Sequence, residues 1–321
     1  MADSEPDVAA AEAVAARAAQ VLRPTGALRR LDEVAAWLAG WQRTERPTVD
    51  RPAAVIFAAD HGVTVEGVSA YPAAVTVEML RALREGAATA AVLCRSVGAQ
   101  LHVVDVGVGR PTGNIAAEPA LSPTAFDAAW AAGREAVSEL DADLVVLGEM
   151  GIGNTTPAAA IACALFGGPP ASWVGRGTGV DDEGLERKRV VVEKATGRIV
   201  DISDPFEVLR EVGGAELVAM AGACAEARAR SLPVLLDGYV VTAAVAPLAV
   251  ASTGGLDHCL AAHRSPEPGH GRLLDHLGLV PLLDLELRLG EGSGALLAVP
   301  IVRMAAAAVT DVATFEEWGM A

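Results

Sequence analysis

Four short apolar runs, each ending in a polar or glycine-rich turn, constrain this chain most. AAVIFAAD (53–60), LHVVDVGV (101–108), DLVVLGEMG (143–151) and PVLLDG (233–238) show no polar/apolar alternation. That is the pattern of strands covered on both faces. Segments with helical character, near 73–96, 124–139 and 155–166, separate them. DDEGLERKRVVVEKATG opens on acidic residues that suit a helix start, and a stop at Gly197 is expected. HCLAAHRS (258–265) and LVPLLDL (279–285) are further strand candidates, and the chain reads as helical again from Ser293. Strand alternating with helix predicts an α/β fold: a doubly wound, mostly parallel sheet. Upstream, 7–22 is an Ala-rich helical stretch. The segment 27–42 sets Leu28, Leu31, Val34, Leu38 and Trp41 at steps of three and four, an amphipathic helix. Polar, proline-bearing Arg43–Pro52 reads as a boundary.

Charge and composition remove several function classes. Asp+Glu number 41 against 25 Lys+Arg, a formal charge of −16. Such a field argues against nucleic acid or an anionic membrane as partner. Aromatic residues are 4% of the chain, too few for a base-stacking platform. Met150–Gly175 and Gly238–Leu256 are uncharged and long enough to span a bilayer, but both carry Pro, Gly and hydroxyl residues. Buried core segments explain them better than membrane spans. The acidic start MADSEPDVAA has no apolar core, so no secretory leader is expected. Cys94, Cys163, Cys224 and Cys259 form no CxxC and read as reduced core thiols of a cytoplasmic protein.

In doubly wound sheets, ligands bind beyond the carboxyl ends of the strands. ADHGV, GEMGIGNTT, Asp237-Gly238, His263-Arg264-Ser265 and RLGEGSG all follow candidate strands, so they are expected on one rim. GEMGIGNTT (148–156) passes into a helix through Gly151 and Gly153. Free N–H groups and the helix dipole would make this an anion site, the alternative being an ordinary tight turn. Asn154 or Thr155 could cap the helix. Neither GxxxxGK[ST] nor an opening GxGxxG is present, so ATP and NAD lose support. GRGTGVDD (175–182) is a second glycine turn. Lys188, one of only two lysines, follows it as either a phosphate partner or a solvated helix residue. Glu291 stands between two glycines in RLGEGSGA, as a general base or as a carboxylate at a helix start. Glu149 is a second carboxylate of this kind. His258, His263, His270 and His276 match no zinc spacing, so no metal is expected and the histidines are read as ordering a loop. Asp60-His61 invites a dyad reading, but the chain lacks a nucleophile elbow.

Taken in order, these motifs resemble one family. RPTGALRRLDEVAAWLAGWQ, FAADHGVTVEGVSAYPAAVT, GEMGIGNTTPAAA, GTGVDDEGL, VLLDGYVVTAA, HRSPEPGH, LRLGEGSGAL and ATFEEWGM together resemble the nicotinate-nucleotide–dimethylbenzimidazole phosphoribosyltransferases. The resemblance spans nearly the whole chain. It implies a large Rossmann-like domain (51–289) and a small helical domain built from 1–50 plus 290–321. It also implies a homodimer without a cofactor, acting on nicotinate mononucleotide and an azole base in cobalamin lower-ligand synthesis. Glu291 would be the catalytic base, and the chemistry assigns Glu149 to the positive charge that develops on the ribose. Gly151, Ile152, Gly153, Asn154 and Thr155, with Gly177, Thr178, Gly179 and Lys188, would hold phosphate and ribose. Ser69, Tyr71, Glu78, Met79 and Leu289 would form the azole pocket, with Asp237 and Ser265 lining the same cleft. The chain departs from the family at Arg23 (usually Lys), Ala27 (Ser), Arg29 (Gly) and Ala59 (Gly). Glu78 and Met79 stand where relatives carry a glutamine. A carboxylate there leaves open another acceptor, such as adenine or a phenol; a non-catalytic nucleotide-binding protein is the remaining alternative.

Overall fold

A computed structural model describes residues 4–320. Residues 1–3 and 321, the outer ends of the expected small helical domain, lie outside the described residues. In chain order the elements are α1 (Val8–Ala18), α2 (Arg29–Gln42), β1 (Pro52–Ala59), α3 (Val75–Arg84), α4 (Thr89–Val97), β2 (Gln100–Gly107), α5 (Pro123–Ser138), β3 (Leu144–Met150) and α6 (Thr155–Phe166). There follow α7 (Asp182–Arg198), α8 (Pro205–Val212), α9 (Ala215–Ala229), β4 (Val234–Leu236), α10 (Tyr239–Ala251), β5 (Cys259–Ala261), α11 (Pro268–Leu277) and α12 (Ser293–Thr310). The strands form one sheet in the order β2-β1-β3-β4-β5, and every pairing is parallel. This is a doubly wound order whose connections diverge between β1 and β3, the place where such sheets bind ligands.

Double coverage explains the uninterrupted apolar runs of β1, β3 and β4; β2, expected to be covered on both faces, is instead an edge strand and mostly half-buried. Along β1, Ala53, Val55 and Phe57 face a core built with α5, α6, α9 and α10, while Ala54 and Ile56 face one built with α2, α4 and α12. In β3, Val145 and Leu147 join the first core, Leu144 and Val146 the second. The period of two persists, but neither face meets water. Near the chain ends, Val14 and Ala18 of α1 pack with Ala35 and Ala39 of α2 and Val309 of α12. An antiparallel bridge joins Val21 to Thr314. By length and composition α12 could cross a membrane, yet it lies against α2, α4, β3 and β4 of its own chain.

Four local expectations need correction. The helix expected over 73–96 is two helices, because the chain turns at Gly86 with φ of 79°. Helix α7 runs through Gly197 to Arg198. The segment 279–285 is no strand: Pro281 removes a ladder donor, and only the single bridge His263–Leu283 forms. RLGEGSG therefore follows an extended loop. Helices α8 and α9 fall where no element was expected. In α9 the residues from Ala215 to Cys224 are all buried, so no amphipathic stripe marks it.

Candidate active site

Beyond the carboxyl ends of β1, β3, β4 and β5 lies a cleft of about 840 Å³, part of it open to solvent. Its walls include Glu149, Gly151, Ile152, Gly153, Asn154 and Thr155 from the β3–α6 turn. Gly177, Thr178 and Lys188 face them, and Ser69, Asp237, Ser265 and Leu289 complete the wall. Of the remaining expected residues, Gly179 adjoins Thr178 with φ of +126°. Tyr71 is half exposed at the end of its loop. Met79 packs against the core beneath α3. Glu78 points outward, 2.8 Å from Arg81. The Glu291 carboxylate does not line the cleft; it sits beside it.

The β3–α6 turn is built for an anion. Gly153 has φ of +91°, which turns the chain into α6. Among the described residues, the Gly153 and Thr155 N–H groups find no acceptor. Asn154 does not cap the helix as expected. Instead its Nδ2 donates to Glu149 Oε2 at 2.5 Å. Lys188 is buried at 1% exposure, which removes the solvated-lysine reading. Its Nζ donates to Thr155 Oγ1 at 2.8 Å and to the Gly175 carbonyl at 2.9 Å, joining the two glycine turns. An ammonium has three donors, so one N–H remains for a ligand. Burial pushes its pKa down to about 8, against the pull of Glu267. Glu267 Oε1 accepts from Gly177 N at 2.8 Å and so shapes the second turn.

Two carboxylates meet at the end of β3. Burial pushes Glu149 up to about 8; the Asn154 bond opposes this, while Glu216, Asp237 and Glu291 add to it. Glu291 has φ of +60°, between Gly290 at +86° and Gly292 at +74°. A left-handed run through a glutamate is strained. It is imposed by close backbone contact: Glu291 N bonds Glu149 O at 3.2 Å, and a Cβ on Gly148 would stand 2.6 Å from Gly292 N. The Glu291 carboxylate accepts from Ala90 N at 3.2 Å. It thus occupies a helix start, as one sequence reading held, but that of α4 and not of α12. Burial raises its pKa, the Ala90 bond opposes the rise, and Asp237 adds to it.

The four histidines do not converge on a metal. Burial lowers His270 to about 3; as a neutral ring it accepts from Ser265 N at 3.0 Å and lies 3.2 Å from Thr242 Oγ1. It therefore orders the Ser265 loop. His263 Nε2 lies 3.6 Å from Asp237 Oδ1. Burial works against its protonation, but Asp237, the Arg264 backbone and Asp284 together raise its pKa. His276 stacks on Phe166. His258 does meet two thiols, that of its neighbour Cys259 and that of the distant Cys224: their Sγ atoms are 3.6 Å apart, and Cys224 Sγ is 3.4 Å from His258 Nε2. These three could hold an ion by proximity. Cys259 Sγ lies 3.6 and 3.8 Å from the two ring nitrogens. His258 Nε2 is also 3.0 Å from the Cys224 carbonyl. A metal needs the in-plane lone pair.

Three site features escaped sequence reasoning. Arg176 lines the cleft beside Thr178. Glu267 lies in a quoted motif but had no assigned role. Glu216, buried behind the β3–α6 turn, falls in a stretch with no motif; no sequence signal pointed to it.

A family model described as phosphoribosyltransferase matches residues 4–320. A nicotinate-nucleotide–dimethylbenzimidazole phosphoribosyltransferase from Mesorhizobium japonicum is 52% identical over 97% of this chain and 93% of that protein. One of the same name from Cereibacter sphaeroides is 49% identical over 99% of this chain and 94% of its own length. Among solved structures, CobT from Thermus thermophilus superposes with a TM-score of 0.94 at 44% identity, over 98% of this chain and 99% of that one.

Proposed function

Because this chain belongs to the nicotinate-nucleotide–dimethylbenzimidazole phosphoribosyltransferase family, we propose that it moves the phosphoribosyl group of nicotinate mononucleotide onto 5,6-dimethylbenzimidazole. The products are α-ribazole 5′-phosphate and nicotinate, the reaction of cobalamin lower-ligand synthesis. One observation carries the site assignment: buried Lys188 ties the two glycine turns together within the cleft that Glu149 lines. A 5′-phosphate held by the Gly153 and Thr155 N–H groups and Lys188 would place its ribose against Glu149.

The chemistry then asks little of the protein. The donor's ring nitrogen is a pyridinium and leaves neutral, taking the C1′–N electron pair, so departure needs no acid. An azole nitrogen attacks C1′ from the opposite face and inverts it. The azole's other nitrogen gives up its proton, and Glu291 receives it. Burial raises the Glu291 pKa from the ordinary carboxylate value, which makes it a stronger proton acceptor. Glu149, facing the ribose, stabilises in its ionised form the positive charge that grows there, a form that gains as pH rises toward about 8. Ser69, Tyr71, Met79 and Leu289 are assigned to the azole side. Glu78 motivated a different acceptor, but its pairing with Arg81 away from the cleft removes that motive.

The same reading includes a cytoplasmic homodimer. It also includes a small helical unit of 1–50 with 290–321 on a larger unit of 51–289; the packing of α1, α2 and α12 supports this division. The test is direct: incubate the protein with nicotinate mononucleotide and a panel of azoles, adenine and phenols, and identify products by mass. Formation of α-ribazole 5′-phosphate in preference to the other ribotides is expected. Release of nicotinate with no ribotide formed would overturn the transferase reading.

A further inference from the structure

Behind the cleft lies a buried pair to which the mechanism above gives no role. His61 follows β1 and Glu216 lies in the first turn of α9; both are almost wholly buried. His61 Nε2 is 2.5 Å from Glu216 Oε1. The same oxygen lies 3.4 Å from Asn154 Nδ2, whose shorter bond, at 2.5 Å, goes to Glu149. Four side chains from separate segments thus run His61–Glu216–Asn154–Glu149 and end at the ribose side of the cleft. The packing is close: a Cβ on Gly151 would stand 2.8 Å from Glu216 Oε1 and 3.0 Å from His61 Nε2. The turn assigned to the phosphate therefore rests directly on this pair.

An isolated buried carboxylate takes up a proton, because the charged form is the costly one. A donor N–H from His61 keeps Glu216 Oε1 an acceptor. With Glu216 and Glu149 both accepting, the Asn154 amide has one orientation, its NH₂ toward the two carboxylates. We propose that His61 is a positioning residue for ribosyl transfer: acting through Glu216, it locks the Asn154 amide so that it donates to Glu149 and holds that carboxylate aimed at the ribose side of the cleft. The inference rests on the reading of Glu149 as the group that stabilises the ribose cation.

The surroundings decide the direction of the effect. Glu149 is faced by Glu216 from α9, Asp237 after β4 and Glu291 before α12, and with burial all three favour its protonated form. Lys188, Arg176 and Arg288 line the same cleft, and His263 stands behind Asp237. Against burial, the Asn154 bond is the largest opposing effect and exceeds the charge of Glu216. Without a donor at position 61, nothing fixes the Glu216 carboxylate against the Asn154 amide, the amide is free to turn, and Glu149 loses its donor.

The experiment is steady-state kinetics across pH with nicotinate mononucleotide and dimethylbenzimidazole, on the parent, H61L, E216Q and E149Q, with thermal melting of each. H61L, which removes the donor to Glu216, is expected to lower kcat on the acid limb about 10- to 100-fold, the worth of a hydrogen bond to a charged group. Its donor KM should stay within about threefold, since no substrate bond is lost, and the acid limb of kcat should move to higher pH. E216Q still accepts from His61 but removes a like charge, so its acid limb should move to lower pH. Should H61L not fold, the E216Q shift alone decides. If E149Q loses turnover but neither His61 nor Glu216 variant moves the acid limb, the pair is merely structural and this inference is wrong. If E149Q keeps the parent's kcat, the reading of Glu149 falls and takes this inference with it.

Discussion

Replacing Lys188 by methionine separates binding from stability, because the lysine serves one at the expense of the other. Methionine nearly preserves the buried volume and removes only the ammonium. The charge sits in a site that pushes its pKa from 10.5 to about 8, a bias against the charged form worth roughly 3 kcal/mol. Folding linkage gives the sign. Between about 8 and 10.5 the unfolded chain holds this proton and the folded chain does not, so the lysine's cost to stability is largest below pH 8 and fades as pH rises. Opposing this are the lost bonds to Thr155 Oγ1 and the Gly175 carbonyl, together about 1–3 kcal/mol. The two nearly cancel, so K188M should melt close to the parent at neutral pH. A phosphate contact from the third N–H is charge-assisted and worth about 1.5–3 kcal/mol. The donor KM should therefore rise on the order of 10- to 100-fold, with kcat changed far less. In the parent, the donor KM should climb as pH rises through about 8 and the ammonium is lost; in K188M it should be flat over that range. The assay is initial velocity against donor concentration at a series of pH values, with calorimetric melting alongside. An unchanged donor KM together with a much lower melting midpoint would refute the reasoning and make Lys188 a purely structural tie between two loops.

Three other outcomes are expected. Glu291→Gln should leave the donor KM within severalfold while kcat drops by about 10²–10⁴, the usual contribution of a positioned base; near-parental turnover would remove Glu291 from proton transfer. Phe57→Ala empties a fully buried position in β1 and should cost about 3–5 kcal/mol by denaturant unfolding, whereas a cost under about 1 kcal/mol would mean the core beneath the cleft can collapse around the gap. Dialysis against a strong chelator should change neither melting nor activity, since His258 Nε2 is engaged by the Cys224 carbonyl; stoichiometric zinc in the purified protein would contradict this.

The sheet was legible in the chain because two-sided burial leaves a mark that needs no partner to be seen. A strand such as AAVIFAAD must be apolar at every position, and the glycine turns after β1 and β3 lie where the chain must leave the sheet. The collinear motifs likewise pointed to the family through residue order alone. Helix α9 was not legible, because a helix buried all round carries no period of hydrophobicity; α8, at eight residues, is too short for its apolar stripe to stand out. Nor was the break between α3 and α4, where one glycine at positive φ ends a pattern that otherwise continues.

Within the site, residue types were visible in the sequence and their states were not. Lys188 could have been a solvated helix residue until folding buried it between two turns. Asn154 looked like a helix cap, and Glu291 could have belonged to its own helix. Only the packed chain sends the first to Glu149 and the second to α4. Cysteines scattered along the sequence meet one another, and His61 reaches Glu216 across 155 residues. Which groups titrate, which donate and which merely pack depends on desolvation and on neighbours brought from far along the chain. Those neighbours exist only once the loops beyond β1, β3, β4 and β5 share one rim.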